Sequence, residues 1–541
     1  MSLEVLSSRV RAPALAVSTP AVPALSSATR PVVPLWAALL LAAASGPIMD
    51  AGFPDRGWWP LTFVGVAVLL VTLIGRKVKA SLLLGLVGGL AFYFIHIEWA
   101  ALFLGIVPMA ALAILESLFY AGGAVAIALA YRWLPRVFPT AAGRLVLLPA
   151  AVAGLWTARE AWASVWPYGG FAWGRVSLSQ SESSFAGLFS WLGVSGVSFV
   201  MVLIVALAIE IVRLHRVAGH VRGAAVVVAA ITLALVVPAF PVAISGTMSV
   251  AAVQGNGKAG YFDTREYGDL LQSQVSATLP LIDQDLDLDV VIWPEGGSDR
   301  DPLKDAGAAS QFDYLTRELD APLVSGAITE RGDKIFNSSL LWHDGEATDI
   351  YDKRHPVPFG EYVPDRDFWT PFAPDLLAMI GRDYTPGTTD AVFDIDGIIA
   401  GINICFDIVD DQLMHDTVTD GAQVIFAQSN NADFGLNIND YTDEGVQQLA
   451  IARIRALELG RSVVNISTVG TSAIITPDGA TLDQLPVYTA AIMTDDVPLS
   501  STITASVVVG RQIEWFVSGL GLAALVIAGL GIRTPRVRRR S

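Results

Sequence analysis

The chain has 541 residues, 53% hydrophobic and only 16% charged, with a net charge of −16 and a mean hydropathy of +0.52. That balance is too apolar for an ordinary soluble protein, and its acidity argues against nucleic-acid binding. A single cysteine, Cys405, rules out an internal disulfide framework.

Residues 1–30 are mostly Ala, Pro, Ser and Val, and Pro13, Pro20 and Pro23 interrupt any signal-peptide core. They read as a disordered cytoplasmic tail. From 31 to 245 long apolar runs follow one another. A membrane helix needs about 20 apolar residues, and such runs predict spans near 33–52, 57–75, 79–97, 104–131, 145–163, 185–212, 223–243 and, beyond a long polar insertion, 513–532. Lys and Arg collect at 76–79, 132–144, 213–222 and 533–541, after the second, fourth, sixth and eighth spans. The connections at Asp50–Arg56, His96–Glu98 and Ala163–Ser184 are poor in them. This alternation predicts cytoplasmic basic loops and termini and an extracytoplasmic 246–510 segment. The basic tail at 533–541 is a topology signal, not a nucleic-acid patch.

The external loop Trp166-Pro167-Tyr168-Gly169-Gly170-Phe171-Ala172-Trp173-Gly174-Arg175 reads as an aromatic belt at headgroup level. Its glycine pair and Arg175 suggest a shaped loop beside a lipid site.

From Ser249 the texture changes to alternating strands and helices: strands at 250–253, 290–293, 322–329, 337–343, 398–404, 424–428, 462–468 and 472–476, with helices over about 265–284 and 441–460. This predicts an α/β domain with functional residues at strand ends. Three positions fit. Glu295 follows an apolar strand and a Trp293-Pro294 turn, so it is either a desolvated general base or a plain turn glutamate. Lys353 lies in the Pro-rich stretch Tyr351–Pro364, either as a solvated loop lysine or held in a fixed place with Glu361. Cys405, ending the run Ile398–Ile404, is inert filler unless a base and a cation stand beside it. The six histidines have no ligand spacing, so no metal is expected, and no G-x-x-x-x-G-K-S/T or G-x-S-x-G motif occurs.

Taken together, Trp293-Pro294-Glu295, Lys353 and Cys405 resemble the Glu-Lys-Cys triad of the nitrilase superfamily. Tyr351–Pro364, Val253-Gln254-Gly255-Asn256, Ala427–Ala432, Ile451–Arg461 and Gly170-Phe171-Ala172-Trp173 are similar to motifs of the apolipoprotein N-acyltransferases, a resemblance covering about 33–532. It implies a polytopic α-helical membrane protein of eight transmembrane helices carrying an extracytoplasmic nitrilase-like αββα (carbon–nitrogen hydrolase) domain. The expected organisation is a tail at 1–30, seven helices in 31–245, the catalytic domain at 246–510, a last helix at 511–532 and a basic tail at 533–541.

The resemblance further implies a bacterial plasma-membrane acyltransferase that completes lipoprotein maturation by a ping-pong reaction. An acyl chain passes from a phospholipid, through a thioester on Cys405, to the α-amine of an N-terminal diacylglyceryl-cysteine. Glu295 is then the base, Lys353 the oxyanion partner and Glu361 an orienting carboxylate, with Phe406 and Asp407 in support and Trp173, Asn430 and Phe434 as substrate contacts. Membrane lipids surround the protein, which is expected to act as a monomer without cofactor, metal or nucleic acid. Two departures stand out. Phe406-Asp407 occupies a place where the family more often has Tyr-Glu, and Asp433 one where an aromatic residue is usual, within a loop that covers the site. The competing classes are a membrane-tethered amidase, whose thioester is resolved by water, and a transporter or scaffold, which the paucity of ionisable residues in the spans disfavours.

Overall fold

The computed structural model describes residues 30–54, 56–218, 229, 231–232, 235–435 and 442–533. The tails expected at 1–30 and 533–541 lie almost wholly outside these residues, as does part of the span expected at 223–243.

Among the described residues, six helices of fourteen residues or more precede the polar segment: α1 (Leu35–Asp50), α2 (Pro60–Leu73), α3 (Val78–His96), α4 (Ile106–Val137), α5 (Leu148–Ala163) and α6 (Phe189–Ala218). Of the described helices, α3, α4, the stretch Ala186–Leu214 and the C-terminal helix Ala505–Arg533 are long and apolar enough to cross a membrane; α1 and α2 are shorter and apolar. Small residues let these helices approach closely. A Cβ on Gly154 of α5 would lie 2.2 Å from the Val517 carbonyl oxygen of the C-terminal helix, so only glycine fits that crossing.

The polar segment folds as two six-stranded sheets. Strands β1 (Gly246–Gln254), β2 (Val290–Ile292), β3 (Leu323–Arg331), β4 (Lys334–His343), β5 (Glu346–Asp352) and β12 (Ala491–Leu499) form one, in the order β12-β1-β2-β3-β4-β5. The other runs β11-β10-β9-β8-β7-β6 and contains β6 (Val392–Ile395), β7 (Ile398–Ile404), β8 (Val424–Ser429), β9 (Ser462–Ser467), β10 (Ala473–Ile475) and β11 (Thr481–Gln484). β1, β2 and β3 are parallel, as are β7, β8 and β9, and the outer pairings are antiparallel.

Side-chain alternation makes this a four-layer sandwich. In β1, Met248, Val250 and Ala252 face the second sheet, where they meet Ile402, Ile404, Val424 and Phe426. Ala251 and Val253 face outward onto α7 (Asp269–Thr278) and α8 (Ala306–Leu319). On the second sheet Ile425 and Ala427 face α9 (Asp411–Thr419) and α10 (Asp443–Leu459). That outer layer shares one continuous apolar cluster with the first six helices, through Ile408, Ile451 and Leu457 on one side and Val197 and Met201 on the other. The sandwich therefore rests on the helical bundle through the α9–α10 layer.

The element bounds differ in places from the sequence reading. The helix expected over 265–284 begins at Asp269, because Asp263 and Arg265 fold the preceding segment into turns around Gly260. α8, α9, β5, β6, β11 and β12 were not anticipated; several are short or polar on one face. The C-terminal helix, α11 (Ala505–Arg533), starts before the expected 513. Arg511, Gln512 and Glu514 interrupt hydropathy there, while Thr504 and Ser506 hydroxyls donate to the Glu458 carbonyl, each at 2.6 Å.

Candidate active site

The centre lies where β2, β5 and β7 end. β7 delivers Cys405 with φ of +52°. A non-glycine residue in the left-handed region costs backbone energy and lifts its side chain off the strand direction, a conformation that concentrates at functional sites. β2 passes through Trp293, whose indole N–H donates to Thr278 Oγ1 at 3.0 Å, and then turns at Pro294 to present Glu295. Gly326 of β3 permits this turn: a Cβ there would lie 2.3 Å from the Pro294 carbonyl oxygen. Gln428 of β8 donates to the Trp293 carbonyl at 2.6 Å, tying the turn to the opposite sheet. Lys353 follows β5 directly, and its N–H donates to the Asn337 carbonyl at 2.9 Å.

These residues converge. The Lys353 ammonium stands 2.8 Å from Glu361 Oε2 and 3.6 Å from Glu295 Oε1. Asn337 of β4 donates through Nδ2 to both carboxylates, 2.7 Å to Glu295 Oε1 and 2.9 Å to Glu361 Oε1. Glu361 Oε2 also accepts from the Val357 N–H at 2.6 Å, so the proline-rich stretch is folded around its own carboxylate. Lys353 is 1% exposed and Glu295 8% exposed. The lysine stretch turns inward, and a buried pair of carboxylates holds its ammonium.

Electrostatics follow from that burial. Desolvation raises the Glu295 carboxyl above its usual range, against the opposing Lys353 charge and hydrogen bonds from Asn337 and Cys405. Burial, followed by the Glu295 charge, pushes the Cys405 thiol well up, so at neutral pH it rests protonated beside its base. Burial would depress Lys353, but Glu361 and Glu295 outweigh it and hold the ammonium charged.

The remaining predicted residues divide. Asp407, fully buried, accepts from the Tyr351 hydroxyl at 2.9 Å and the His355 N–H at 3.2 Å, which ties the lysine stretch to the cysteine turn. Phe406 stacks on Trp173 (centroids 6.1 Å, planes 4° apart) and on Phe171. Trp173 Nε1 donates at 2.6 Å to Gln447 Oε1 of α10, which Trp99 Nε1 also approaches at 3.3 Å, and Phe434 packs edge-on against Trp99. The Asn430 side chain is committed to its own loop: Nδ2 donates to the Ala259 carbonyl, and Oδ1 accepts from Ala432 N–H and Thr468 Oγ1. Asp433 accepts from the Tyr261 N–H at 2.7 Å, and burial raises it to about 6. Arg175 of the aromatic loop is paired with Asp411 at 2.6 Å, and Arg455 holds the same carboxylate at 2.7 Å.

Sequence reasoning missed Asn337, Asn431, Glu444, Gln447 and Gln448. Gln448 Nε2 lies 3.8 Å from Cys405 Sγ, and Gln448 Oε1 accepts from Asn431 Nδ2 at 2.7 Å. Asn431 lies inside the motif Ala427–Ala432; Asn337 shows only as a polar residue in a strand, and Gln447 and Gln448 only as a Gln pair in a helix. Among the described residues no cluster of His, Cys, Asp and Glu could hold a metal ion.

Comparison with known proteins bears on both halves of the chain. The family model for the apolipoprotein N-acyltransferase N-terminal domain matches residues 45–207, and that for carbon-nitrogen hydrolase matches 249–506. The apolipoprotein N-acyltransferase of Mycolicibacterium smegmatis is 32% identical, across 93% of this chain and 87% of its own length. The chain belongs to the apolipoprotein N-acyltransferase family. The Azotobacter vinelandii relative of the same name is 28% identical, across 93% of this chain and 97% of its own. Among solved structures, Saccharomyces cerevisiae Nit3, a member of branch 10 of the nitrilase superfamily, is 17% identical with a TM-score of 0.36, covering 55% of this chain and 98% of Nit3.

Proposed function

We propose that this chain N-acylates lipoproteins at a bacterial plasma membrane, with Glu295, Lys353 and Cys405 as its catalytic residues. One observation carries the reading: a strand-end cysteine in a left-handed conformation beside a buried Glu–Lys–Glu cluster. In the first half-reaction Glu295 takes the Cys405 proton as sulfur attacks an ester carbonyl of a phospholipid. The tetrahedral oxyanion forms against the fixed Lys353 ammonium, a charge complement of a few kcal/mol. Glu295 then returns the proton to the departing lysophospholipid oxygen, leaving a thioester. In the second half-reaction the α-amine of a diacylglyceryl-cysteine attacks that thioester. A C–N bond forms, the C–S bond breaks, and Glu295 carries the amine proton to sulfur. Splitting amide synthesis in two lowers each barrier.

Glu361 and Asn337 hold the ammonium and the base in place. The Phe406–Trp173–Phe171 stack, with Trp99 and Phe434 near it, offers an apolar wall for acyl chains beside the helical bundle. The eight-span plan, with the α/β domain outside and both termini in the cytoplasm, rests on the alternation of basic connections. The domain bounds follow it, except that α11 begins inside the stretch assigned to 246–510.

The test is mass spectrometry of purified protein with phospholipid alone, then with a synthetic diacylated lipopeptide. The protein should gain one acyl chain, labile to hydroxylamine and absent in Cys405→Ala, and then lose it to the peptide amine. Free fatty acid as the sole product would instead identify a hydrolase. Acylation that persists in Cys405→Ala would refute the reading.

A further inference from the structure

An N-terminal amine has a pKa of about 7.7–8.0, so at neutral pH it arrives as an ammonium with no lone pair. Forming an amide from R–NH3+ and a thioester releases two protons. One restores the Cys405 thiol through Glu295. The other needs a second acceptor, and Glu361 is committed to Lys353, Asn337 and the Val357 N–H.

A second carboxyl lies close by. Glu444, in the first turn of α10, is 2% exposed and accepts from Asn431 Nδ2 at 2.7 Å. The same Nδ2 donates to Gln448 Oε1 at 2.7 Å, and Gln448 Nε2 faces Cys405 Sγ. A hydrogen-bonded line thus runs from the sulfur through Gln448 and Asn431 to Glu444. Ser467 Oγ and Ser429 Oγ hold Asn431 Oδ1 from the other side, at 2.6 and 3.3 Å. Glu444 also borders a narrow cavity with Asn431, Phe434, Val469, Gly470 and Tyr488. Among the described residues, its only other ionisable wall is Tyr488.

We infer that Glu444 receives the acceptor amine, sharing one proton with it so that the amine reaches the Cys405 thioester with a free lone pair. This rests on the thioester mechanism proposed above and adds the acceptor's subsite to it. The chemistry balances: as the amine binds, one proton leaves for solvent and one remains shared between carboxyl and nitrogen. Attack then forms the C–N bond, the C–S bond breaks, and the amine's second proton passes through Glu295 to sulfur. A water molecule brings no positive charge to such a carboxyl, so the subsite favours aminolysis over hydrolysis. Burial raises Glu444 to about 8, with Asn431 opposing and the Glu295 charge adding to the rise; Cys405 and Tyr488 are the other titratable groups facing this cluster among the described residues. That acidity matches an α-amine, which makes the shared proton nearly balanced.

The test isolates the second half-reaction. Enzyme acylated on Cys405 from phosphatidylglycerol–phosphatidylethanolamine micelles is mixed with a diacylglyceryl-cysteine peptide, and kcat/KM for transfer is followed from pH 6 to 10. In the unsubstituted enzyme the profile should be bell-shaped and centred near 8, because one proton on the carboxyl–amine pair is required. Glu444→Gln should be at least tenfold slower at pH 7 and should plateau above pH 8 instead of falling. Glu444→Asp, which keeps a titratable group, should retain the bell at lower height and serves if Gln disturbs folding. An unsubstituted profile without a descending limb, or a Glu444→Gln profile parallel to it, would overturn the inference. Failure of Cys405 to acylate at all would instead overturn the mechanism beneath it.

Discussion

Replacing Lys353 with methionine removes the charge while nearly keeping the volume, and so isolates what the ammonium does. In the native site that ammonium is 1% exposed and stands 2.8 and 3.6 Å from two carboxylates that are themselves largely buried. Deleting one partner of a buried ion pair costs about 3–5 kcal/mol, because the other charge stays without compensation. Here two carboxylates are left facing each other, so the upper part of that range applies wherever both are ionised. The sign with pH is fixed. Lys353 is what lowers Glu295 against its burial, so removing it raises the folded-state value further above the ordinary 4.5. A carboxyl raised on folding gives stability that is complete below its unfolded value and is lost as pH climbs through the folded one. The Lys353→Met defect should therefore be small near pH 4.5 and grow towards pH 8. Thermal unfolding of the detergent-solubilised protein at several pH values measures it, beside acyl-enzyme formation, which should fall about 10²–10³-fold with the oxyanion's cation gone. A variant destabilised by less than about 1 kcal/mol, equally at pH 5 and 8, would show that no buried cluster of this kind exists.

Other substitutions separate the remaining parts. Glu295→Gln should slow alkylation of Cys405 by a small maleimide at pH 7 and abolish the rise in rate as pH passes upward through the raised Glu295 value; an unchanged rate would mean that Glu295 is not the base. Asn337→Ala removes a donor to two carboxylates, which costs about 1.5–3 kcal/mol. It should slow acyl-enzyme formation tenfold or more while Cys405 stays alkylatable, and full activity would deny it a positioning role. Topology is testable in a cysteine-free background: a cysteine placed at Asp299 should react with an impermeant reagent from outside and one at Ser541 only from the cytoplasm, and labelling of both from one side would overturn the eight-span plan.

What the sequence made legible was whatever depends on runs and on neighbours in the chain. The helices of the first half announce themselves by unbroken apolarity, and β7 and β8 by short apolar runs ending in Cys405 and Ser429. The strand-end position of Glu295 implied a desolvated carboxyl, which its 8% exposure agrees with. The depth of Lys353 was not legible. A Lys-Arg-His run in a proline-rich stretch reads as solvated, and only the fold puts Glu361, eight residues on, and Glu295, fifty-eight residues back, on either side of the ammonium. Asn337 and Glu444 were invisible for a related reason: a lone Asn in a strand and a Glu in a first helical turn each have an ordinary local explanation, the latter as a partner for the helix dipole. The pairing of Arg175 was not legible either, since its partner Asp411 lies 236 residues along the chain.

The helix α10 is one of the places where the two halves of the chain meet, and its geometry explains why the proposed reaction needs both. Successive residues of α10 point about 100° apart. Gln447 thereby faces the bundle, where it accepts from Trp173 and approaches Trp99, while Gln448 faces the Cys405 sulfur. Arg455, two turns further on and fully buried, donates to the Ile408 and Val409 carbonyls and to Asp411, the carboxylate that also holds Arg175 of the aromatic loop. One rigid element thus fixes the distance between an apolar wall and a nucleophile. A thioester built from a lipid ester needs that fixed relation, since the acyl chain must stay in apolar surroundings while its carbonyl reaches a polar, charged centre. A nitrilase-like sandwich on a flexible tether would leave this alignment to chance, at an entropic cost that a shared core removes.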